Sequence, residues 1–247
     1  MVSSKHPCSS VWSMVVLKID LHTHTDHSDS SATLDEITRY AKRKGIDGVA
    51  VTDRMTCEAL SSLCEEINGV LVVSGLEVET YEGHLLVLGV RSTPPRCMSL
   101  LQAVKWARQH GGVVIAAHPT VPGFRIPFGL LAGARPDAIE TLNGKVPLEK
   151  WNLESALLAL RLGLPQTGGS DSHSAETVGD AYTLIEAEDL SLTGILDAIR
   201  VGRVRPGGNC SAFRHFVFTM VYGSLSSVAQ ELRKVLQGLL MLVRRSF

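Results

Sequence analysis

The sequence predicts an α/β barrel, and three observations carry that expectation. Predicted strands and helices alternate along almost the whole chain. The strands are apolar on both faces, as strands are when they run parallel under a cover of helices. Residues of metal-ligand type, His22/His24, Asp53, Glu77, His118 and Asp171/His173, sit at the C-terminal ends of strands. In an α/β barrel those ends share one rim, where active sites are built.

The elements follow in order. An apolar lead-in, Val15-Val16-Leu17, reads as a buried strand that ends in Asp20-Leu-His22-Thr-His24. Alternate strand residues point the same way, so both imidazoles can face one site. Asp29 follows five residues after His24, and imidazole with carboxylate suits zinc, manganese or iron. A strand that happens to end in surface histidines explains His22 and His24 equally well, so the rest of the chain must decide. Thr33-Leu-Asp-Glu36 is a capping box that opens a helix through about residue 44, closed by Gly45. Residues 46–51 form the next strand, ending in Thr52-Asp53-Arg54. A helix is expected over 56–67, then a strand over 70–74 that leads into Gly75-Leu-Glu77. Residues 78–90 read as a hairpin turning at Glu82-Gly83, with His84 on its return. Ser99-Leu-Leu-Gln102 opens a helix to about residue 110, which Gly111-Gly112 stops. A short apolar strand over 113–117 ends in His118-Pro119. The stretch 120–133, rich in Pro, Gly and aromatics, reads as a loop beside the site. A strand starts at Ala138-Ile139-Glu140, a helix covers 148–162, and a strand over 164–168 runs into Gly169-Ser-Asp171-Ser-His173. A strand over 181–185 and a helix over 191–201 complete the pattern.

Composition narrows the class. A 45% apolar share supplies a sizeable core, and 20% charged residues argue against disorder. A net charge of −1 gives no general attraction to nucleic acid. Cys8, Cys57, Cys64, Cys97 and Cys210 are scattered and contain no Cys-x-x-Cys. That fits a reduced, cytoplasmic protein rather than a disulfide framework. No apolar run approaches the roughly 18 residues of a membrane span. Residues 1–13 lack the apolar core of a secretory signal and read as a loose N-terminal extension, with the barrel domain over 14–210. The tail over 211–247 differs. Leu225, Val228, Ala229, Leu232, Val235, Leu236, Leu239 and Val243 follow helical spacing, which predicts a long amphipathic helix. Its five basic residues and one acid give +4, leaving −5 for the rest. Packing on the barrel or on a second copy, as in a homo-oligomer, is one use for such a helix, and a membrane surface is the other.

Together these motifs resemble the PHP family, the polymerase and histidinol phosphatase superfamily. The likeness runs over about residues 15–207. It comprises Asp20-Leu-His22-Thr-His24 with Asp29, Val51-Thr-Asp53, Gly75-Leu-Glu77, Ala117-His118-Pro119, and Gly169-Ser-Asp171-Ser-His173 followed by Val178-Gly179. The resemblance implies a distorted (β/α)7 barrel, extended here by the C-terminal helix, and metal-dependent phosphoesterase activity. It implies two or three divalent ions (Zn2+, Mn2+ or Fe2+). One would be held by His22, His24, Glu77 and Asp171, and a second by the shared Glu77 with His118 and His84. A third would use Asp29, His173 and a histidine after the Thr-Asp motif. This chain has Arg54 at that last position. A guanidinium stays protonated and has no lone pair to give a metal. Either Arg54 replaces the third cation, bridging to Asp29 or clamping a substrate phosphate, or it is an ion-pair partner on a degraded site.

The expected reaction is direct hydrolysis of a small-molecule or nucleotide phosphate ester by water activated between ions, with no covalent intermediate. Arg54 and Asp53 are the catalytic candidates. Arg54, Arg125 in the 120–133 loop and Asn143 are the candidate substrate contacts. Asp53 and Asp20 serve either to orient histidines or to cap strand ends. Glu140 and Asn143 can line the pocket, and a turn role suits Asn143-Gly144 as well. His27 is expected to be a neighbour of the site, and His6, His110 and His215 surface residues. A 3′-5′ exonuclease and a binding module that has lost catalysis are the alternatives. Balanced charge and the lack of an aromatic, basic groove weigh against a stable nucleic-acid complex.

Overall fold

The computed structural model describes residues 14–210. The N-terminal extension and the C-terminal helix expected from the sequence lie outside the described residues. Strand β1 is Val15–Thr23, β2 Gly48–Val51, β3 Cys64–Ile67, β4 Val70–Thr80 and β5 Gly83–Leu88. Strand β6 is Val113–Ala117, β7 Ala138–Asn143, β8 Gln166–Gly169, β9 Ala181–Ala187 and β10 Val204–Gly208. The helices are α1 (Leu34–Arg43), α2 (Leu100–Gln109), α3 (Phe128–Ala134), α4 (Glu149–Leu162) and α5 (Leu192–Arg200). One sheet takes the order β10-β9-β1-β2-β4-β5-β6-β7-β8, with β3 added beside β4.

This sheet curls into a nearly closed barrel, because β8 returns against β1, β9 and β10. The join is made without a regular ladder. Gly168 N donates to Thr183 Oγ1 at 2.9 Å, Asp171 N donates to His22 O at 2.8 Å, and His24 N donates to Ser172 O at 3.1 Å. Strands contribute alternate residues to separate apolar layers. Val78, Leu85, Val87, Val114 and Ile139 pack against Leu100 and Val104 of α2, Leu131 of α3 and Ala159 of α4. Ile19, Leu21, Leu86, Leu88, Ile115 and Ile185 pack with Ile195 and Ile199 of α5. Each such buried side chain is worth about 1.5–3 kcal/mol.

The expected capping box forms, with Thr33 and Glu36 exchanging bonds at the start of α1, and the helix expected to open at Ser99 is capped in the same way by Ser99 and Gln102. Three expectations are overturned. The segment 56–67 holds no helix; its end is β3, which runs antiparallel to β4 through Asn68 (φ 56°) and Gly69 (φ 74°). Two positive φ values in sequence make a two-residue hairpin turn of the kind Asn-Gly favours. The stretch 120–133 is not all loop, since α3 begins at Phe128. The sheet is mixed: β1–β2–β4 and β6–β7–β8 run parallel, while β4–β5–β6 and β1–β9–β10 are antiparallel. Strand β10 has no counterpart in the sequence reading.

Candidate metal centre

The end of β1 delivers His22 and His24, whose ring centroids lie 5.1 Å apart, as strand alternation requires. Glu77 comes from the middle of β4. His84 opens β5 and pairs in register with Ala117 at the end of β6, one residue before His118. Asp171 and His173 follow β8. His118 and Asp171 take left-handed backbones, φ 30° and 52°, at a cost of about 1–3 kcal/mol each for residues other than glycine. Gly169 is needed for the approach, because a Cβ there would sit 2.5 Å from His22 Cβ.

Four of the expected ligands converge on one point. His22 Nε2 lies 3.7 Å from both Glu77 Oε2 and Asp171 Oδ1; His24 Nε2 lies 3.5 and 3.4 Å from the same two oxygens. A second group joins Glu77 Oε1 to His84 Nδ1 at 2.8 Å and to His118 Nε2 at 3.4 Å. A third joins His173 Nε2 to Asp29 Oδ2 at 3.1 Å, with His24 Nδ1 3.6 Å from Asp29 Oδ1.

The residues fit a cation. His22 Nε2, both ring nitrogens of His24, His118 Nδ1 and Asp171 Oδ1 are buried with no hydrogen-bond partner among the described residues, and the equally buried Glu77 Oε2 is met by the Arg54 guanidinium at 2.7 Å. Buried polar atoms are normally paired. Lone-pair donors pointing at one another from different strands are the arrangement a divalent ion satisfies. The field agrees. Burial would raise the Glu77 and Asp171 carboxyls, but the imidazoles around them hold both well below the usual carboxylate range. Burial opposes a charge on His22 and His118, yet the carboxylates hold both imidazoles above their usual range. Loading a metal must therefore expel protons, which makes affinity fall as pH falls.

Around the donors stands a supporting set that the sequence reading identified only in part. Glu140 Oε1 is 2.9 Å from His22 Nδ1, so a proton on Nδ1 leaves the Nε2 lone pair facing the group. Its other oxygen accepts from His118 N at 2.9 Å and from Asn143 Nδ2 at 3.0 Å. Phe124 closes over the rings of His84 and His118, at 4.5 and 5.6 Å. Lys145, which no motif singles out, places Nζ 3.0 Å from His173 Nε2 and 3.6 Å from Asp171 Oδ1.

Several expected roles need correction. Asp53 touches no histidine: its oxygens accept from Thr25 N, Thr25 Oγ1 and Ser28 Oγ at 2.6–2.7 Å, which fixes the loop carrying Asp29. Asp20 likewise accepts from His22 N, Ser170 N and Gly179 N, and burial pushes its carboxyl up to about 6 against those bonds. Asn143 is fully buried, with both amide hydrogens given to Glu140 and Asp171 and its oxygen taken by Lys145 N and Val146 N. It can hold Asp171 but has nothing left for a substrate. Arg125 pairs with Glu154 at 2.7 Å on the exposed surface. His27 is half exposed and pairs with Asp26. Arg54 does sit at the centre, with Nε 2.7 Å from Asp29 Oδ2 and Nη1 2.7 Å from Glu77 Oε2.

With that geometry in place, comparisons with known proteins add an independent line. A family model described as "PHP domain" matches residues 20–112, and one described as "PHP-associated" matches residues 149–204. An uncharacterised protein of Methanocaldococcus jannaschii is 34% identical over 119 residues, covering 43% of this chain and 70% of that protein. A phosphoribosyl 1,2-cyclic phosphate 1,2-diphosphodiesterase of Eggerthella lenta is 35% identical over 89 residues, 33% of this chain and 34% of that enzyme. The match thus spans about a third of that enzyme's length. A solved two-domain protein from Bacteroides vulgatus, containing a predicted PHP-like metal-dependent phosphoesterase, has a TM-score of 0.61. It is 21% identical, with 79% of this chain and 66% of that one covered; at that identity the likeness is one of fold. Among the described residues no helix is long and apolar enough to cross a membrane.

Proposed function

The chain belongs to the PHP family, and from that premise we propose a metal-dependent phosphoesterase acting on a small-molecule or nucleotide phosphate ester. The observation that carries this reading is the set of buried donor atoms on His22, His24, Glu77 and Asp171, all facing one point and, on the two histidines and Asp171, without a hydrogen-bond partner among the described residues. Those four would hold one ion, and His84 and His118 with Glu77 a second. Bound divalent ions supply a Lewis acid and a water that loses its proton near neutral pH.

The protein's own part is positioning and charge. Glu140 keeps the His22 proton on Nδ1 and so keeps Nε2 free to donate. Asp53 fixes the 25–29 loop, and Asn143 steadies Asp171. Phe124 and the surrounding apolar layer keep bulk water from His84 and His118, where electrostatic interactions are then stronger. Arg54 and Lys145 offset the carboxylates on the outer side, which favours a substrate carrying a phosphate. Among the described residues no serine hydroxyl or cysteine thiol is hydrogen-bonded to an imidazole, in keeping with direct attack by water.

The test uses the full chain, stripped with chelator and reloaded with Mn2+ or Zn2+. Metal-dependent release of phosphate from p-nitrophenyl phosphate, mononucleotides or a cyclic phosphodiester is the expected result. His22→Ala and Asp171→Ala should each cut turnover by about a thousandfold or more, with the far-UV spectrum unchanged. Turnover that survives either substitution, or the absence of metal, would refute the reading. Single-stranded DNA as a parallel substrate separates it from an exonuclease.

A further inference from the structure

The third group of donors, on His24, Asp29 and His173, is close enough to hold an ion of its own. It differs from the other two in having side-chain cations already beside it. Arg54 Nε donates to Asp29 Oδ2 at 2.7 Å, the same oxygen that lies 3.1 Å from His173 Nε2. Lys145 Nζ lies 3.0 and 3.1 Å from the two ring nitrogens of His173. We propose that Arg54 and Lys145 take the place of a third divalent ion at this group, so that the centre binds two ions and presents a guanidinium and an ammonium to the substrate's phosphate.

The backbone holds Arg54 in this role. Glu77 N donates to Asp53 O and Met55 N donates to Glu77 O, a local bridge that locks Arg54 alongside β4. Its Nη1 then meets Glu77 Oε2 at 2.7 Å, so one guanidinium spans an inner and an outer carboxylate. A dication placed among His24, Asp29 and His173 would lie within a few ångströms of two fixed positive charges. Repulsion at that range lowers its occupancy on the order of a thousandfold. Arg54 is protonated at any working pH, so the guanidinium does not make way as a neutral base would.

Exposure indicates what the pair is for. Glu77 and Asp171 side chains are 0% and 9% exposed, whereas Arg54 is 25% and Lys145 45% exposed. The ion-holding donors are therefore deep, and the two cations line the way in. Arg54 meets Asp29 through Nε and Glu77 and, at 3.7 Å, Glu79 through Nη1, and a guanidinium carries five N–H donors, which leaves one for a phosphate oxygen. Phosphate groups are bound by this combination of forked and point-like cations.

The inference takes its chemistry from the phosphoesterase reading, but its test does not need turnover. Full-length protein saturated with Mn2+ and desalted should contain two ions per chain by plasma mass spectrometry. Arg54→His with Lys145→Met should raise the count towards three. Arg54→Lys, which keeps the charge, should stay at two and shows that a change at this position leaves the centre intact. Inorganic phosphate, titrated calorimetrically into the two-ion protein, should bind about ten- to a hundredfold more weakly in Arg54→Gln and in Lys145→Gln. Three ions in the wild type, a double variant that remains at two, or phosphate affinity indifferent to both glutamines would overturn the proposal. A two-ion protein that binds phosphate through Arg54 yet cleaves no ester would remove the phosphoesterase reading and leave this one standing.

Discussion

Glu140 governs three neighbours at once: the tautomer of His22, the backbone of His118 and the amide of Asn143. Removing its charge while keeping its shape should loosen the metals more than the fold. Glu140→Gln is expected to weaken metal retention about ten- to a hundredfold in chelator competition. Asp29 offers a second handle. Burial pushes its carboxyl up, but hydrogen bonding and charge from Arg54, aided by His173 and His24, hold it down at about 2. The unfolded carboxyl titrates near 3.9, so the folded state binds this proton more weakly. The resulting stability is present above about pH 4 and disappears as pH falls towards 2. Urea denaturation of metal-free protein should show Asp29→Asn to be less stable than wild type at pH 6 and no different near pH 2. The gap will be small, because the carboxylate is 43% exposed and screened by solvent.

At the scale of elements, the turn after β8 is the most constrained piece. Gly169→Ala would drive a Cβ to 2.5 Å from His22 Cβ and 3.0 Å from Glu140 Oε1. Overpacking of this kind costs about 1–3 kcal/mol. Thermal melts should show that loss, and metal content should fall with it because His22 is the residue displaced. Much of the centre was legible in the sequence because His22 and His118 close apolar runs that a buried strand explains, whereas Glu77 lies in the middle of the longer β4 and Asp171 follows the short Gln166-Thr-Gly-Gly169 strand. The Thr33 capping box and the helix start at Ser99 were legible because their signals are local. Cys64-Glu-Glu-Ile67 was not, since four residues carry no period, and the signal that decides it is the Asn68-Gly69 turn beyond them. The hairpin turning at Glu82-Gly83 was legible and forms as β4–β5, but the other antiparallel pairings were missed because strands buried on both faces look alike in either direction. The roles of Glu140, Asn143 and Lys145 depend on which strands become neighbours, and periodicity does not encode that.

For the molecule as a whole, the donors span the chain from His22 to His173, so bound ions tie distant segments together. Ligands that bind only the folded state stabilise it by about 2.7 kcal/mol at a hundred times Kd. Calorimetry with and without chelator should show a clear drop in melting temperature on metal removal, and Asp171→Ala should shrink that difference. The irregular join between β1 and β8, where Asp171 N reaches His22 O, adds a matter of timing. His22 and His24 leave the ribosome early, whereas Asp171 and His173 emerge some hundred and fifty residues later. A half-made chain thus offers a passing ion only an incomplete grip, and durable capture waits until the ring of strands has been shut by its own far end.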